Sequence, residues 1–477
     1  MEHFSPEQRE AFEAIQNGES IFVTGPGGTG KSFLIQQIVE EIPKRTGKVV
    51  AVTAMTGCAA LLLGRFAKTL HGWAGIGLGR GTAQSLAQGI RKKAPLAKRW
   101  RDTGILIIDE VSMLTPLLLE TLDEIAKILR RSQRPFGGMQ VVFVGDFLQL
   151  PPISNDKVTR FAFESPVWTK LVKRMITLSK IFRQQDPVFQ GILDEVRMGS
   201  LSKQSFTTLE SRINQDYKKN KIQPTILFNR RMDVEEINSS HLEKLPGLSK
   251  TFSATTGPSK HSPSEILATS EKMDKDGMYV PILTLKEGAQ VMLVSNLDLE
   301  SGLCNGSRGV VVGFQETTNW PIVEFKTETR VIEPHTWESD HVPPISRSQI
   351  PLRLAYALTI HKSQGATLDC ALVDVGPSVF EYGQAYVALS RVRNLEGLYV
   401  FDICPRAIRA HPLVKSFYEG TYVPPKEVEV PTEIPSVNVP FQKGKYGFVE
   451  EEEEKEKPKQ TQTQTKLNAY FSGVGRN

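Results

Sequence analysis

Short apolar runs alternate with longer amphipathic stretches from the start of the chain to about residue 180. Four of these runs are rich in β-branched residues, and they read SIFVTG, KVVAVTA, ILIIDE and MQVVFVG. Runs of this length and composition are typical of strands that are buried on both faces. Their alternation with helix-length stretches predicts a parallel β-sheet flanked by helices. A basic stretch with glycines and few apolar residues interrupts the pattern between about residues 64 and 103, and we predict a small insertion there.

The same alternation begins again at about residue 225 with TILFNR, and it resumes with LRLAYALTIHKSQG and CALVDVG. Between about residues 245 and 350, the runs GAQVMLVSN, SRGVVVGF and PIVEF are separated by glycine turns, which is typical of a small antiparallel barrel. We therefore predict an α/β protein with two parallel-sheet domains, 1–182 and 183–412, each of which carries an insertion.

The last part of the chain has a different composition. After about residue 422 it is rich in proline and charge, with a glutamate run from Glu450 to Glu454. Such a sequence has too little apolar surface to offset the entropy of ordering. We predict a disordered tail over residues 413–477.

The composition limits the class of protein. The 477 residues are 40% hydrophobic, which is enough for more than one core, and the formal net charge of +5 is too small to indicate a polyanionic partner by itself. Cys58, Cys304, Cys370 and Cys404 lie far apart, which disfavours a zinc site or a disulfide framework and fits a reducing compartment. The N-terminus resembles neither a signal peptide nor a mitochondrial transit segment, and no run is long enough to span a bilayer. We expect an intracellular, non-membrane protein.

The stretch FVTGPGGTGKSFL places G-x-x-x-x-G-K-S between a predicted strand and a predicted helix. Glycines allow backbone N–H groups to point at phosphate oxygens, and the helix N-terminus adds its positive end. In this Walker A pattern Lys31 reaches the β- and γ-phosphates, and Ser32 ligates Mg²⁺. The alternative is an ordinary glycine-rich turn. The predicted phosphate-binding residues are Gly25, Gly27, Gly28, Thr29, Gly30, Lys31 and Ser32.

The run ILIIDEVSM ends a predicted strand with Asp109 and Glu110. A carboxylate pair at the end of a strand is often only a solvated strand end, but after a P-loop it is typical of Walker B. Asp109 would hold Mg²⁺, and Glu110 would orient and deprotonate the attacking water. The two motifs together predict an ATP- and Mg²⁺-dependent NTPase.

Further motifs follow in a fixed order: GDFLQLPP with Gln149, IFRQ with Arg183, IHKSQG with Gln364 and Gly365, and ALSRVR with Arg391. With FSPEQREAF, TAMTGCAA and TLHGWAGIGLG, the series resembles the Pif-type (petite integration frequency) DNA helicases of superfamily one B over about residues 4–405. The segment from FAFESPVWTKL to LDEVRMG is similar to the one that separates this family from other superfamily-one helicases. The resemblance implies two RecA-like motor domains, a wedge as the first insertion and 5′-to-3′ translocation.

The resemblance also implies roles for single residues. Gln8 is expected on the adenine edge, Gln364 and Gly365 at the nucleotide, and Gln149 near the γ-phosphate. Arg183 and Arg391 would act as arginine fingers, which contribute about 4–7 kcal/mol to catalysis. The sequence departs from the family pattern in two places: Leu148 stands where an aromatic residue is commoner, and residues 229–230 read Asn-Arg where a threonine usually precedes the polar residue.

Such motors hold single-stranded DNA through hydroxyls and N–H groups on phosphates and through rings on bases. The candidates are Thr53, Thr56, His71, Trp73, His361, Lys362 and Ser363. A lone tryptophan or histidine could equally belong to a core. The basic cluster Arg91, Lys92, Lys93, Lys98, Arg99 and Arg101 lies in the expected wedge. It could contact duplex or displaced-strand phosphates, act as a nuclear import signal or form a solvated helix face.

Near the C-terminus, QTKLNAYF fits Q-x-x-[ILM]-x-x-[FY]-[FY] over residues 464–471 and resembles the peptide box that docks on PCNA-type sliding clamps. In a 3₁₀ turn, residues three apart lie on one side, so Leu467, Tyr470 and Phe471 would form one apolar plug beside Gln464. The alternative is a chance cluster in a low-complexity tail.

Together these patterns predict a monomeric, clamp-tethered DNA helicase that acts on single-stranded DNA and duplex junctions in replication, repair or recombination. An alternative is a clamp-tethered ATPase that displaces DNA-bound protein without unwinding. Tracking on RNA also stays open, because backbone tracking reads little of the sugar.

Overall fold

The computed structural model describes residues 4–424, except for residues 65–66, 78, 80, 153–157, 214, 217–222, 229–230, 278, 296, 299–300, 302, 304 and 340–343. Residues 4–422 belong to one compact unit. Within it, two parallel sheets and a group of antiparallel sheets account for the strands.

The first parallel sheet lies in the N-terminal part of the chain. Its strands pair in the order β3-β2-β4-β5-β1-β6, and every pairing is parallel. The elements are α1 (Pro6–Gln16), β1 (Ile21–Thr24), α2 (Lys31–Thr46), β2 (Val49–Ala54), α3 (Gly57–Leu62), β3 (Lys68–Thr69), α4 (Leu70–Ala74), α5 (Ala83–Arg91), α6 (Ala94–Asp102), β4 (Thr103–Asp109), α7 (Pro116–Arg130), β5 (Gln140–Val144), α8 (Pro166–Leu171) and β6 (Met175–Thr177).

Alternation along each strand divides the side chains between two cores. Phe22 packs into one core, while Ile21 and Val23, its neighbours on β1, pack into the other. Both faces of the sheet are therefore covered, which explains why its strands read as continuous apolar runs. Burying an aliphatic or phenylalanine side chain of this size stabilises the fold by roughly 1.5–3 kcal/mol.

The segment predicted as the first insertion forms α4, α5 and α6. Trp100 is completely buried, and its ring centroid lies 4.6 Å from that of Trp73. Both residues belong to the same core as Leu122 and Ile125 of α7. The helices therefore extend the first sheet's core through α7 instead of having a core of their own.

The second parallel sheet pairs its strands in the order β18-β7-β19-β20. The elements of this part of the chain are α9 (Pro187–Arg197), α10 (Lys203–Glu210), β7 (Thr225–Phe228), α11 (Arg231–Lys244), β8 (Lys250–Ser253), β9 (Thr255–Thr256), α12 (Pro263–Asp276), β10 (Ile282–Leu285), β11 (Gln290–Leu293), β12 (Arg308–Phe314), β13 (Pro321–Phe325), β14 (Thr329–Val331), β15 (His335–Glu338), β16 (Ser346–Gln349), β17 (Leu352–Leu354), β18 (Ala357–Thr359), α13 (Ile360–Ser363), β19 (Ala371–Val375), α14 (Gln384–Leu389), β20 (Leu398–Ile403) and α15 (Pro412–Tyr418).

Antiparallel strands lie between β7 and β18 in sequence, where the second insertion was predicted. One sheet runs in the order β14-β13-β12-β11-β17 and has its own core, which includes Val291, Val311 and Leu352. Shorter sheets pair β10 with β8 and β15 with β16 and β9. Among the described residues, the five-stranded antiparallel sheet ends at β14 and β17 and does not close into a complete barrel.

The predicted start of the tail at residue 413 is wrong, because α15 is a helix that packs on the first sheet's core. Val414 is completely buried, and the ring of Phe417 stacks on that of Phe163 with a centroid distance of 4.2 Å. The aromatic residues of this segment supply its apolar contacts with the core. Residues 425–477 lie outside the described part of the chain.

Candidate nucleotide-binding site

The P-loop (Gly25–Ser32) is the turn between β1 and α2. At Gly25 and Gly28 its backbone conformation and close contacts require glycine. Gly28 has a φ of 88°, and a Cβ there would lie 2.5 Å from the Cβ of Arg183. Gly25 has a φ of 139°, and a Cβ there would meet the carbonyl oxygen of Leu178. The helix α2 begins after Gly30 without a side-chain cap, so its first N–H groups are available to an anion.

Lys31 lies across the P-loop. Its Nζ donates hydrogen bonds to the carbonyls of Gly25 at 2.7 Å and Pro26 at 2.8 Å. Burial lowers the pKa of Lys31, while the nearby carboxylates of Asp146, Glu110 and Asp109 oppose that shift. The ammonium is thus held at the loop, with its charge partly desolvated.

Asp109 is the last residue of β4 and Glu110 follows it, at the carboxyl end of the first sheet. Glu110 has a φ of 55°, a left-handed backbone that a non-glycine residue adopts at a cost in strain. Burial, and then the Glu110 charge, raise the pKa of Asp109 to about 7, and burial also raises the pKa of Glu110. The Nε2 of Gln364 donates to Glu110 Oε2 at 2.8 Å, which joins the turn after α13 to this carboxylate.

Two arginines lie beside the P-loop at Gly27. A Cβ on Gly27 would lie 3.5 Å from both Arg183 Nη1 and Arg391 Nη2. Arg391 Nε donates to the Val387 carbonyl at 2.7 Å, and Arg183 Nη1 donates to the Ser390 carbonyl at 3.2 Å. Burial, followed by the charge of Arg183, lowers the pKa of Arg391 to about 9. Carbonyls around α14 thus hold both guanidinium groups beside the loop.

These groups line a cavity of about 920 Å³, which we call the nucleotide cleft. That volume is within the usual range for a bound small molecule. Of the predicted site residues, the cleft is lined by Gly27, Gly28, Gly30, Lys31, Ser32, Asp109, Glu110, Gln149, Arg183, Gly365 and Arg391. Phe33, Phe182 and Arg393 also line it, and sequence reasoning did not predict a site role for any of them.

Gln8, outside the P-loop, and Thr29, within it, bond P-loop carbonyls and do not line the cleft. Gln8 Nε2 contacts the carbonyls of Thr29 and Gly30, each at 3.4 Å, and its Oε1 accepts from the Ser5 N–H in the capping box of α1. Thr29 Oγ1 donates to the Pro26 carbonyl at 3.0 Å. In this structure the Gln8 amide is engaged by protein groups, so an adenine contact would require these bonds to exchange.

A Mg²⁺ ion would find suitable oxygen ligands in the cleft. The Ser32 hydroxyl and the Asp109 carboxylate both line it, and Mg²⁺ commonly binds one or two such groups together with substrate phosphates. No group of three or more His, Cys, Asp or Glu side chains arranged for a metal occurs among the described residues. The donor set thus fits a metal that arrives with a nucleotide.

Three of the residues predicted to contact DNA have side chains that are buried and engaged within the protein in this structure. Thr53 is completely buried and donates to the Ile107 carbonyl at 2.7 Å. Trp73 is 3% exposed and packs on Trp100. Ser363 is completely buried and donates to the Ile360 carbonyl at 2.8 Å. Residue type and motif position did not reveal that these groups serve the cores of the two sheets.

The other DNA candidates are half-buried. Thr56 Oγ1 accepts from the Ala59 N–H at 3.2 Å. Burial lowers the pKa of both His71 and His361, so each imidazole is neutral near pH 7. The side chain of Lys362 lies outside the described residues, as do Asn229 and Arg230 and the whole of the predicted clamp box.

The basic cluster of the first insertion is divided by its contacts. Arg99 is half-buried, and its Nη1 donates to the carbonyls of Gly72 at 3.2 Å and Trp73 at 2.9 Å, so it fastens α6 to α4. The exposed members are Arg91, Lys92, Lys93, Lys98 and Arg101. Arg91 Nη2 also donates to the Ile128 carbonyl of α7 at 3.0 Å.

Comparison with known proteins identifies the family. The family model of the PIF1-like helicase matches residues 3–211, and that of the DNA helicase Pif1 2B domain matches residues 270–314. The chain is 36% identical to the crystal structure of Pif1 helicase from Candida albicans, with a TM-score of 0.74 and coverage of 88% of this chain and 99% of that chain. The chain belongs to the PIF1-like helicase family.

Two further members of the family show its breadth. The ATP-dependent DNA helicase PIF1 of Homo sapiens is 41% identical over 420 residues, which are 87% of this chain and 63% of the human protein. The chain therefore spans less than two thirds of the length of that relative. The crystal structure of Pif1 helicase from Bacteroides in complex with ADP-AlF3 and ssDNA is 28% identical, with a TM-score of 0.61 and coverage of 88% of this chain and 97% of that chain.

The predicted fold class is confirmed by these structural matches and by the two parallel sheets. No helix in the described part of the chain is long and apolar enough to cross a membrane.

Some polar residues at the site were missed by sequence reasoning. Asp146 is completely buried after β5, and Arg197 of α9 donates to it through Nε at 2.8 Å and Nη2 at 2.9 Å. Tyr386 of α14 accepts from the Gly27 N–H at 2.8 Å. An aspartate directly after a strand was a signal for Asp146, but its partners come from distant parts of the sequence.

Proposed function

We propose that the chain is an ATP-dependent DNA helicase that translocates 5′ to 3′ on single-stranded DNA and opens duplex or structured DNA. The observation that carries this proposal is that both parallel sheets supply groups to one P-loop. Gln364 bonds Glu110 across the cleft, and the guanidinium groups of Arg183 and Arg391 lie beside Gly27. Family membership and the nucleotide and DNA complexes of relatives support the same activity.

In the proposed hydrolysis, Glu110 orients the attacking water and accepts its proton. Burial favours the protonated form of this carboxyl in the chain without nucleotide, and the charges of Lys31 and Arg391 favour the ionised form that a base requires. Ser32 and Asp109 would hold Mg²⁺, which when bound neutralises charge on the phosphate oxygens. Lys31, Arg183 and Arg391 would stabilise the charge that develops at the γ-phosphate, and Gln149 lies where it could sense that group.

We propose that this chemistry drives movement between two motor domains, residues 1–182 and 183–412, with residues 413–422 packed on the first. An arginine that bonds the γ-phosphate from the second domain closes the cleft, and hydrolysis removes that bond. Two domains that grip a strand alternately in this cycle will move along it. The 5′-to-3′ direction is what the resemblance to the family implies.

Single-stranded DNA and duplex junctions are the proposed substrates. Thr56 and His71 near the first sheet and His361 beside the second remain partly exposed, so both domains offer contacts to a strand. Neutral imidazole rings suit base stacking. The exposed arginines and lysines of α5 and α6 are proposed to contact duplex phosphates, which predicts a flatter salt dependence of binding when three of them are neutralised.

We also propose that Gln464, Leu467, Tyr470 and Phe471 dock on a PCNA-type sliding clamp and place the motor at replicating DNA. The support is the residue spacing of this box in the sequence. A variant with Leu467→Ala, Tyr470→Ala and Phe471→Ala should lose clamp binding while retaining ATP hydrolysis. Unchanged affinity of that variant for the clamp would contradict the assignment.

The proposed function is tested by ATP-dependent unwinding of matched duplexes with either a 5′ or a 3′ single-stranded tail. Lys31→Ala serves as the inactive control. The proposal predicts opening of the 5′-tailed duplex alone. DNA-stimulated hydrolysis with neither duplex opened would instead indicate an ATPase that remodels bound protein, and opening of only the 3′-tailed duplex would contradict the polarity.

A further inference from the structure

The hydroxyl of Tyr418 in α15 joins two parts of the first sheet, the end of β1 and the turn after β5. It lies 2.7 Å from Thr24 Oγ1, accepts from the Phe147 N–H at 3.1 Å and donates to Asp146 Oδ1 at 3.2 Å. A phenol has one proton and two lone pairs, and the proton must go to the carboxylate, which only accepts. Thr24 is therefore the donor in the remaining bond, and the hydrogen-bonding capacity of Tyr418 is fully used.

The same side chain supports the ion pair at Asp146. The guanidinium carbon of Arg197 lies 5.5 Å from the centroid of the Tyr418 ring, within the range of a cation–π contact. Burial alone would raise the pKa of Asp146, but the charge and hydrogen bonds of Arg197, with Lys31, hold it below its usual value. Tyr418 thus contacts both members of a buried, ionised pair.

The partners of Tyr418 are the bases of two loops in the nucleotide cleft. Thr24 is the last residue of β1 and directly precedes Gly25 of the P-loop. Asp146 begins the turn that carries Gln149, since the Gln149 N–H donates to the Asp146 carbonyl at 3.0 Å. One hydroxyl near the end of the described part of the chain therefore bonds both the residue before the P-loop and the turn that carries Gln149.

We propose that Tyr418 is a positioning residue for ATP hydrolysis, which holds the P-loop and the Gln149 turn at the separation that the reaction requires. The inference rests on the proposed ATPase activity. It goes beyond the matched family models, since residues 412–422 lie outside both matched ranges. Small displacements of groups around a reacting phosphate reduce the rate of the chemical step more than they reduce binding.

The test compares Tyr418→Phe with Tyr422→Phe in the full chain. Each substitution removes one hydroxyl and keeps the ring, but the Tyr422 hydroxyl has no hydrogen-bond partner among the described residues. We expect Tyr418→Phe to lower kcat for DNA-stimulated ATP hydrolysis roughly tenfold, with KM for ATP within about twofold of the wild-type value. Tyr422→Phe should change neither constant. A smaller active fraction would also lower the apparent kcat without changing KM, so kcat is expressed per ATP-binding site counted by titration, and thermal unfolding checks that each variant is folded.

A second variant, Thr24→Val, removes the other hydroxyl of the bond between Thr24 and Tyr418. Thr24→Val should lower kcat by roughly threefold, and the double variant should lose little more than Tyr418→Phe alone, because both changes remove one shared interaction. If Tyr418→Phe does not fold, the loss in Thr24→Val decides the question. A wild-type kcat in Tyr418→Phe would overturn the inference. If Tyr418→Phe does not fold, a wild-type kcat in Thr24→Val would overturn it. A normal kcat in these variants would leave the proposed ATPase activity standing. That activity is contradicted if the wild-type chain does not hydrolyse ATP, or if Lys31→Ala hydrolyses it normally.

Discussion

One wall of the nucleotide cleft belongs to the first sheet and the other to the segments around the second sheet, and the two hold their functional groups differently. On the first wall, Asp109 ends β4 and Lys31 begins α2 after the P-loop, whose shape depends on glycines. On the second wall, Arg183 and Arg391 are held by main-chain carbonyls around α14. The groups of the first wall lie at the ends of strands of one sheet and are proposed to bind phosphate, whereas the second wall requires distant segments to assemble.

This difference predicts that variants of the first wall lose binding and catalysis together. Lys31→Ala should weaken ATP binding and lower DNA-stimulated hydrolysis by roughly 10³-fold, because the ammonium is proposed to contact phosphate both before and during the reaction. Steady-state hydrolysis and equilibrium ATP binding measure the two effects. Lys44→Ala is the matched control, since Lys44 lies on the same helix with a 69% exposed side chain. Wild-type ATP affinity in Lys31→Ala would contradict the claim that variants of the first wall lose binding and catalysis together.

Arg197→Leu tests the ion pair behind the first wall. Removing the guanidinium leaves the buried Asp146 carboxylate without its partner, which should lower the free energy of unfolding by about 3–5 kcal/mol. Without Arg197, burial would raise the pKa of Asp146, so the folded state would bind a proton more readily than the unfolded state. The variant should therefore regain stability as pH falls, as measured by denaturant unfolding between pH 8 and 5.

The control for that experiment is Arg174→Leu. Arg174 pairs with Glu10 and Glu19 on the surface, where its side chain is 42% exposed. Its removal should cost less than about 1 kcal/mol and show little pH dependence. Equal losses from the two variants would contradict the importance of the buried pair.

A smaller effect is expected where the two walls meet at the catalytic carboxylate. Gln364→Ala removes the bond to Glu110 from the second wall, and we expect kcat to fall roughly tenfold with KM for ATP little changed. Gln204→Ala on the exposed face of α10 is the control. A Gln364→Ala variant that changes only KM would assign Gln364 to nucleotide binding alone.

The smallest expected effects concern DNA. His361→Ala should weaken single-stranded DNA binding by about 1 kcal/mol, roughly fivefold, because it removes a partly exposed ring. Trp73→Phe should leave DNA affinity unchanged, because this ring packs on Trp100. Fluorescence anisotropy with a labelled oligonucleotide compares the two variants. A larger loss from Trp73→Phe than from His361→Ala would reverse the assignment.

The same contrast explains how far sequence reasoning could go. The P-loop and the Asp109–Glu110 pair were predictable because backbone direction and strand ends fix their positions locally. The burial of Thr53, Trp73 and Ser363 was not predictable from motif membership, since it depends on helices that pack from elsewhere. Tyr418 was missed because the tail was predicted to begin at residue 413, inside its helix, while its partners lie 271 or more residues earlier in the chain.

The central claim is that hydrolysis requires both walls while phosphate binding requires mainly the first. The most direct test is to measure ATP binding and DNA-stimulated hydrolysis on one preparation of Arg391→Lys, which keeps the charge but loses the planar guanidinium. We predict ATP affinity within about threefold of the wild type and a loss of roughly 10³-fold in kcat. Hydrolysis near the wild-type rate would contradict the account.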